Sequence, residues 1–249
     1  GILPGGEGAT YFELMTLFFF LCARRAKAQA LVLETGIGGR LDATNIVVPD
    51  LSILMPIERE HCDILGDSIE AIAGEKAGII KAGRPALIAP GQGEEALAVF
   101  EERCMKLGSP LIKADNLVRL EDYKTGSSGL EDRLRILESR ETLYVQSPFS
   151  ARIQAQNAAT AAGAALSLLG NKPESRAAIQ EGIKRAQLPA RFQILLRQPA
   201  PLVVDGSHTA RSVSMALETY TELFGRGGSL VFSCARDKDV EAMASILGP

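Results

Sequence analysis

The sequence has no basic excess, no paired cysteines, no long apolar run and no dinucleotide fingerprint, and each absence narrows the field. Its 249 residues carry a net charge of -3, whereas general nucleic-acid and anionic-membrane binders show a surplus of lysine and arginine. No nucleic-acid partner and no membrane partner are therefore expected. Any bound polyanion must be held by local groups, with or without a metal, rather than by the field of the whole chain. Cys22, Cys62, Cys104 and Cys234 are scattered without a CxxC pair, which suggests reduced, mostly buried thiols in a cytoplasmic protein. The most apolar window, Leu14–Ala23, centres on Phe18, Phe19 and Phe20 and falls far short of the ~20 residues that span a bilayer. Glu7 and Glu13 precede it and Arg24 and Arg25 follow, so it lacks signal-peptide flanks and reads as a buried helix. There is no internal repeat. The chain opens on Gly1 rather than methionine and stops at Gly248-Pro249 just after a helical pattern, so both ends read as cut from a longer protein.

What is present is ordinary in bulk, 46% hydrophobic and 23% charged, and long enough for one large or two smaller domains with real cores. Gly1–Thr10 is a glycine-rich loop. Thr10 with Glu13 three residues on is a capping box that opens a helix to about Ala28. Leu31–Leu33 is a short apolar run bounded by turn residues, the pattern of a strand buried on both faces. It reaches Glu34 and then a glycine-rich turn, Gly36, Gly38 and Gly39, followed by Arg40, Asp42, Thr44 and Asn45. That turn is either a ligand-binding edge or an ordinary tight turn. A second run, Leu51–Ile57, empties into Glu58-Arg59-Glu60-His61. If the two strands run parallel, they carry Glu34 and His61 to one edge of the sheet, where open α/β sheets bind ligands.

A helix is expected from Asp67 or Ser68 to near Gly83, with Ile69, Ile72, Ala73, Ala77 and Ile80 as its apolar stripe. Lys76 falls on that stripe. A lysine there snorkels, pairs or is chemically changed. Ala86–Ala89 as strand, Glu94–Leu107 as helix and Leu111–Lys113 as strand continue a βαβα alternation that predicts a parallel sheet covered on both sides. Asp115–Ser147 changes to short alternating runs with a Gly126–Gly129 turn, a small antiparallel excursion. Ala151–Leu169 and Glu174–Ala186 read as helices. Leu188-Pro189-Ala190 marks a boundary, dividing the chain into 1–187 and 188–249. Beyond it Phe192–Leu196, Leu202–Val204 and Ser229–Phe232 are strand-like, with helices around Val213–Phe224 and after Asp239, as in a second βαβ unit that has begun.

Five patterns fall in one order: Thr10-Tyr11-Phe12-Glu13 with Thr16; Glu34–Asn45, read ETGIGGRLDATN; His61 with Leu65-Gly66; Glu75–Lys81, read EKAGIIK; and Gln154 with Asn157-Ala158-Ala159. In these the chain resembles the folylpolyglutamate synthase / dihydrofolate synthase family, a branch of the Mur ligase superfamily. The resemblance implies an α/β fold: the mostly parallel sheet of a central ATPase domain, then the start of a Rossmann-like C-terminal domain. It implies an ATP-dependent ligase that phosphorylates a carboxylate of folate or dihydropteroate and lets the amine of L-glutamate attack the acyl phosphate. It further implies one or two magnesium ions held by Glu34, His61 and Lys76, the lysine as a carbamate, with His208 at the domain interface. Asn157 resembles an adenine contact, Arg191 a linker arginine that reaches phosphates, and Asp205 a ribose ligand. Asp237-Lys238-Asp239 resembles a motif that orients the amino acid or closes the domains. A monomer is expected.

The chain departs from the family pattern at Pro189-Ala190-Arg191, at Ser207-His208-Thr209 and at Glu60. The family's phosphate loop, Gly-Thr-x-Gly-Lys-Gly-Ser, is not among these residues, so the chain by itself is expected neither to hydrolyse ATP nor to ligate glutamate. Two other readings stay open: another Mur-type ligase, such as a cell-wall precursor ligase, and a nucleotide- or folate-binding relative without catalysis.

Overall fold

The computed structural model describes residues 8–126, 129–235 and 238–248. The chain divides into two compact units, Gly1–Lys113 and Ala114–Pro249. The first opens with helix α1, Tyr11–Arg25, on the expected capping box: the Thr10 side chain accepts from the Glu13 N–H, and the Glu13 carboxylate accepts from the Thr10 N–H. The helix is not buried, however. Only Thr16 is, while Leu14, Leu17, Phe18 and Leu21 are more than half exposed, because no larger element among the described residues packs on it.

The run expected as the first strand corrects the sequence reading further. Leu31–Leu33 has no strand assignment, and Val32 is 96% exposed. Three residues become a strand only by joining a hydrogen-bonded ladder, and among the described residues this run joins none. Glu34 is thus carried by an irregular segment and not by a strand parallel to its neighbour.

The parallel sheet itself forms from β1, Ser52–Leu54, β2, Ala86–Ile88, and β3, Leu111–Lys113, in the order β1-β2-β3. All three residues of the central strand are buried, which is why it reads as an unbroken apolar run. Between β1 and β2 lie the one-turn helix α2, Cys62–Leu65, and helix α3, Ile69–Lys76. Ser68 caps α3 by accepting from the Ala71 N–H. The α-helix ends at Lys76, shorter than the expected end near Gly83, because a 3-10 turn over Ala77–Ile79 leads into extended backbone at Ile80. Helix α4, Glu94–Leu107, returns to β3 and places Ala96, Phe100 and Cys104 four residues apart on one face. With Leu54, Ala73, Ala77, Ile80 and Ile88 they form the core.

The second unit begins with the antiparallel sheet that the alternating runs predict: β4, Val118–Gly126, β5, Gly129–Ile136, and β6, Glu141–Ser147. The two middle residues of the expected Gly126–Gly129 turn lie outside the described residues, as do most of the glycine-rich opening and Asp237. Helices α5, Arg152–Leu169, and α6, Pro173–Lys184, contribute Ala159, Ala162, Leu166 and Ile179 to a core shared with Val118, Leu134, Ile136, Leu143 and Val145. Strands β7, Gln193–Leu196, and β8, Leu202–Val204, pair antiparallel. Helices α7, Ala210–Phe224, and α8, Val240–Leu247, complete the unit. The second βαβ unit is not found among the described residues. Ser229–Phe232 forms no strand, and Val231 is 97% exposed.

The cysteines are less buried than expected. Cys104 alone is buried, Cys62 and Cys234 are partly exposed, and Cys22 lies exposed on α1. Burial pushes the Cys104 thiol up from its ordinary value. No helix among the described residues is long and apolar enough to cross a membrane.

Candidate active site

In the first unit the two most characteristic strings of the sequence, Glu34–Asn45 and Glu75–Lys81, are built into one another. Asp42 shapes the first. Its carboxylate accepts from the N–H groups of Gly36 at 2.7 Å and Ile37 at 3.3 Å, and from the N–H and hydroxyl of Thr44 at 2.9 and 2.6 Å. Partial burial pushes this carboxyl up, but the bonds from Thr44, Gly36 and Ile37 outweigh it and hold it below the usual range.

The shaped loop then locks onto the end of α3. The Arg40 guanidinium donates to the Glu75 carboxylate through Nε and Nη2, at 3.1 and 2.9 Å to Oε1. The Arg40 N–H donates to the Glu75 carbonyl at 2.8 Å. Asn45 Nδ2 donates to the carbonyls of Arg40 and Gly78, both at 3.1 Å, and Lys81 Nζ donates to the Asn45 carbonyl at 3.0 Å. The fit is close enough that a Cβ added to Gly78 would sit 2.3 Å from Arg40 Cα. Added to Gly39, it would lie 3.0 Å from the Lys76 carbonyl oxygen. Added to Gly38, it would meet Leu65 of α2 at 2.9 Å. The glycines therefore serve close packing against two elements.

Around this lock stand the three residues expected to hold metal. Glu34 is exposed, two residues before Gly36. His61 is half-buried and precedes α2 with a left-handed backbone, φ 54°, uncommon for a residue with a side chain. Lys76 is half-buried at the last position of α3. Among the described residues, none of the three side chains makes a hydrogen bond or ion pair, and no group of three or more His, Cys, Asp and Glu is gathered as a metal cage. The loop after Glu34 thus packs against α2, which follows His61, and against the turn that follows Lys76. Glu75→Gln keeps the shape of the lock but removes the charge facing Arg40. Because Arg40 is more than half exposed, the expected loss is about 1 kcal/mol, read from urea unfolding.

The remaining expected residues lie in the second unit. Asn157 is half-buried on α5, its Nδ2 donating to Gln154 Oε1 at 3.4 Å. Arg191 is exposed between two residues with left-handed backbone, Ala190 and Phe192. Asp205 fixes that turn: its Oδ2 accepts from the Phe192 N–H at 2.6 Å, and its Oδ1 accepts from the N–H and hydroxyl of Ser207. The Gly206 N–H donates to the Ala190 carbonyl at 2.8 Å. His208 is exposed just before α7, with Nδ1 2.9 Å from the Gly206 carbonyl oxygen and its N–H donating to Ser212 Oγ. Arg191, Asp205 and His208 therefore belong to one cluster, beside a cleft of about 350 Å³ that Arg191, Arg197, Phe149 and Ser150 help to line. Sequence reasoning gave no role to Arg40, Asp42, Asn45 or Glu75. Their signal lay in the two strings, but a partner some 35 residues away is not visible in a linear pattern.

The Mur ligase middle domain family matches residues 6–165, and the chain belongs to the Mur ligases. Relatives from the folylpolyglutamate synthase / dihydrofolate synthase branch are similar to it along most of its length. The dihydrofolate synthase/folylpolyglutamate synthase of Bacillus subtilis (strain 168) is 34% identical over 242 residues, covering 94% of this chain and 55% of the relative. A solved FPGS–AMPPCP complex superposes with a TM-score of 0.81 at 26% identity, covering 90% of this chain and 55% of that one. An FPGS–AMPPCP–folate complex gives 0.78 at 26% identity, covering 88% and 53%. The chain spans about half the length of the curated relatives it matches.

Proposed function

We propose that the protein to which these residues contribute is an ATP-dependent ligase that joins L-glutamate to a folate, with dihydropteroate as a second acceptor. The observation that carries this reading is the lock between the Glu34–Asn45 loop and the end of α3, near three side chains that make no hydrogen bond or ion pair among the described residues. The relative from Bacillus subtilis bears both synthase activities in its name, and the solved relatives hold a nucleotide analogue and folate. In the reaction a carboxylate oxygen of the acceptor attacks the γ-phosphorus of ATP and ADP leaves. The glutamate amine then attacks the acyl carbon, phosphate leaves, and the nitrogen loses a proton.

Magnesium keeps most of its waters and takes one or two protein oxygens together with phosphate, so it needs no protein cage. The exposed Glu34 carboxylate, with no other partner among the described residues, fits that donor chemistry, and His61 offers a nitrogen ligand. Lys76 as an ammonium does not ligate a cation; as a carbamate it becomes an anion that does. Bound there, magnesium supplies charge neutralisation for the transferred phosphoryl group. The lock formed by Arg40, Asn45 and Glu75 joins the loop that follows Glu34 to the helix that ends in Lys76. In the second unit, Asn157 contacts adenine, Asp205 the ribose, Arg191 the phosphates, and His208 faces the domain interface. The division into domains 1–187 and 188–249, a cytoplasmic location and a monomeric state belong to the same reading.

The test uses the full-length protein with ATP, tetrahydrofolate and glutamate. The expected result is a product one glutamate heavier and equal amounts of ADP. ATP turnover that ignores folate, or a product carrying another amino acid, overturns the reading. Lys76→Met is expected to lower kcat by roughly 100-fold or more, and Lys76→Arg to restore nothing, since a guanidinium is not carbamylated. Recovery in the arginine variant would show that a cation, not a carbamate, serves there.

A further inference from the structure

Strand β5 breaks its own pattern. Leu130, Leu134 and Ile136 alternate onto the buried face of the sheet with exposed residues between them. The position that completes this series is Asp132, only 2% exposed. Neither of its carboxylate oxygens has a hydrogen-bond partner, and the same holds for the hydroxyl of Ser147, which is 0% exposed. The register pairs Asp132 with Val145 and Leu130 with Ser147, so the acid and the hydroxyl stand diagonally across β5 and β6 on one face. An acid at a core position with no partner is the kind of local conflict that sequences do not keep for packing alone.

An ionised carboxylate in this layer would be far costlier than a neutral one. Among the described residues the sheet offers it no countercharge. On β4 the residue opposite is Tyr123, and on β6 the inward neighbours are Leu143, Val145 and Ser147. Glu131, Arg133 and Arg135 of β5 occupy the opposite face, where Arg133 and Arg135 pair with Glu121. Arg176 of α6 goes to Glu141 at the far end of β6. Arg152, the one charged residue of α5, stands over the Tyr123 ring at 6.0 Å. A protonated carboxyl can donate as well as accept, and a hydroxyl such as Ser147 can answer either way.

We propose that Asp132 is a buried proton-binding site: the carboxyl is protonated in the folded β4–β6 sheet, on the same face as the Ser147 hydroxyl, and losing the proton loosens the sheet. Burial pushes this carboxyl up to about 6, above its value in an unfolded chain. The sign follows. The folded state holds the extra proton, so the contribution of Asp132 to stability is complete below the unfolded value and is lost as pH rises through about 6.

Two measurements on the 249-residue chain test this. In urea unfolding from acid to mildly alkaline pH, the wild type is expected to lose stability relative to Asp132→Asn, with the ratio of their unfolding constants changing by roughly 100-fold. A ratio that stays constant over this range overturns the proposal. Carbon NMR of aspartate-labelled wild type needs no variant to fold: the resonance lost in Asp132→Asn, or assigned through its neighbours, titrates near 6 if the proposal holds. A midpoint in the usual carboxylate range refutes it.

Discussion

Gly78→Ala is expected to destabilise the chain by about 3 kcal/mol or more and to free the Glu34–Asn45 loop from α3. The new methyl would fall 2.3 Å from Arg40 Cα, 2.4 Å from Arg40 Cβ and 2.7 Å from Arg40 N. Two of these three are backbone atoms, so no side-chain rotation relieves the clash. Either the loop lifts, breaking the Asn45 bridge and the Arg40–Glu75 pair, or the turn over Ala77–Ile79 moves and pulls Ile80 out of the core. Gly74 supplies the control. It lies in α3, one turn before Gly78, and nothing lies within 4 Å of an added Cβ. Gly74→Ala should therefore leave stability unchanged or raise it by up to about 1 kcal/mol. Urea unfolding of the two variants, with protease cleavage of the loop as a second readout, decides the matter. Equal behaviour would mean that the two strings are not locked.

Asp42→Ala is expected to be nearly as damaging, about 3 kcal/mol, because one carboxylate organises the whole turn. Removing it leaves the Gly36 and Ile37 N–H groups without their acceptor and frees Thr44 at the same time. The effect should depend on pH in a definite direction. This carboxyl is held below its usual range, so its contribution is full above the unfolded-state value and disappears as pH falls through the lowered one. The gap between wild type and Asp42→Ala in urea unfolding should be largest at neutral pH and close under strong acid. A gap that persists after the carboxyl is protonated would assign the loss to shape alone.

Local signals were legible wherever the chain itself supplies the stabilising partner. The Thr10 capping box, α4 over Glu94–Leu107 and β3 over Leu111–Lys113 form where their sequence patterns lie. So does the antiparallel excursion, whose alternation at Leu130, Leu134 and Ile136 marks a one-sided sheet. Leu31–Leu33 and Ser229–Phe232 failed as strands for a shared reason. Apolar composition makes a strand possible, but a neighbouring ladder makes it real, and that neighbour is a tertiary fact. The apolar α1 failed as a buried helix in the same way. In the candidate site, Glu34, His61 and Lys76 could be picked out as residue types in suggestive places. The lock beside them could not, because Arg40 gains its meaning from Glu75 and Asn45 from Gly78.

That lock also orders events in time. The chain between Arg40 and Glu75 must close a loop of 35 residues before the guanidinium finds its carboxylate, and such closure is an entropic debt settled only by contacts made at the end. Helix α3 can form early on local interactions, whereas the glycine loop has no shape of its own until the helix is docked. Refolding should therefore deliver a sound hydrophobic interior before it delivers an ordered glycine loop, and protection of that loop from protease should lag behind regain of helix.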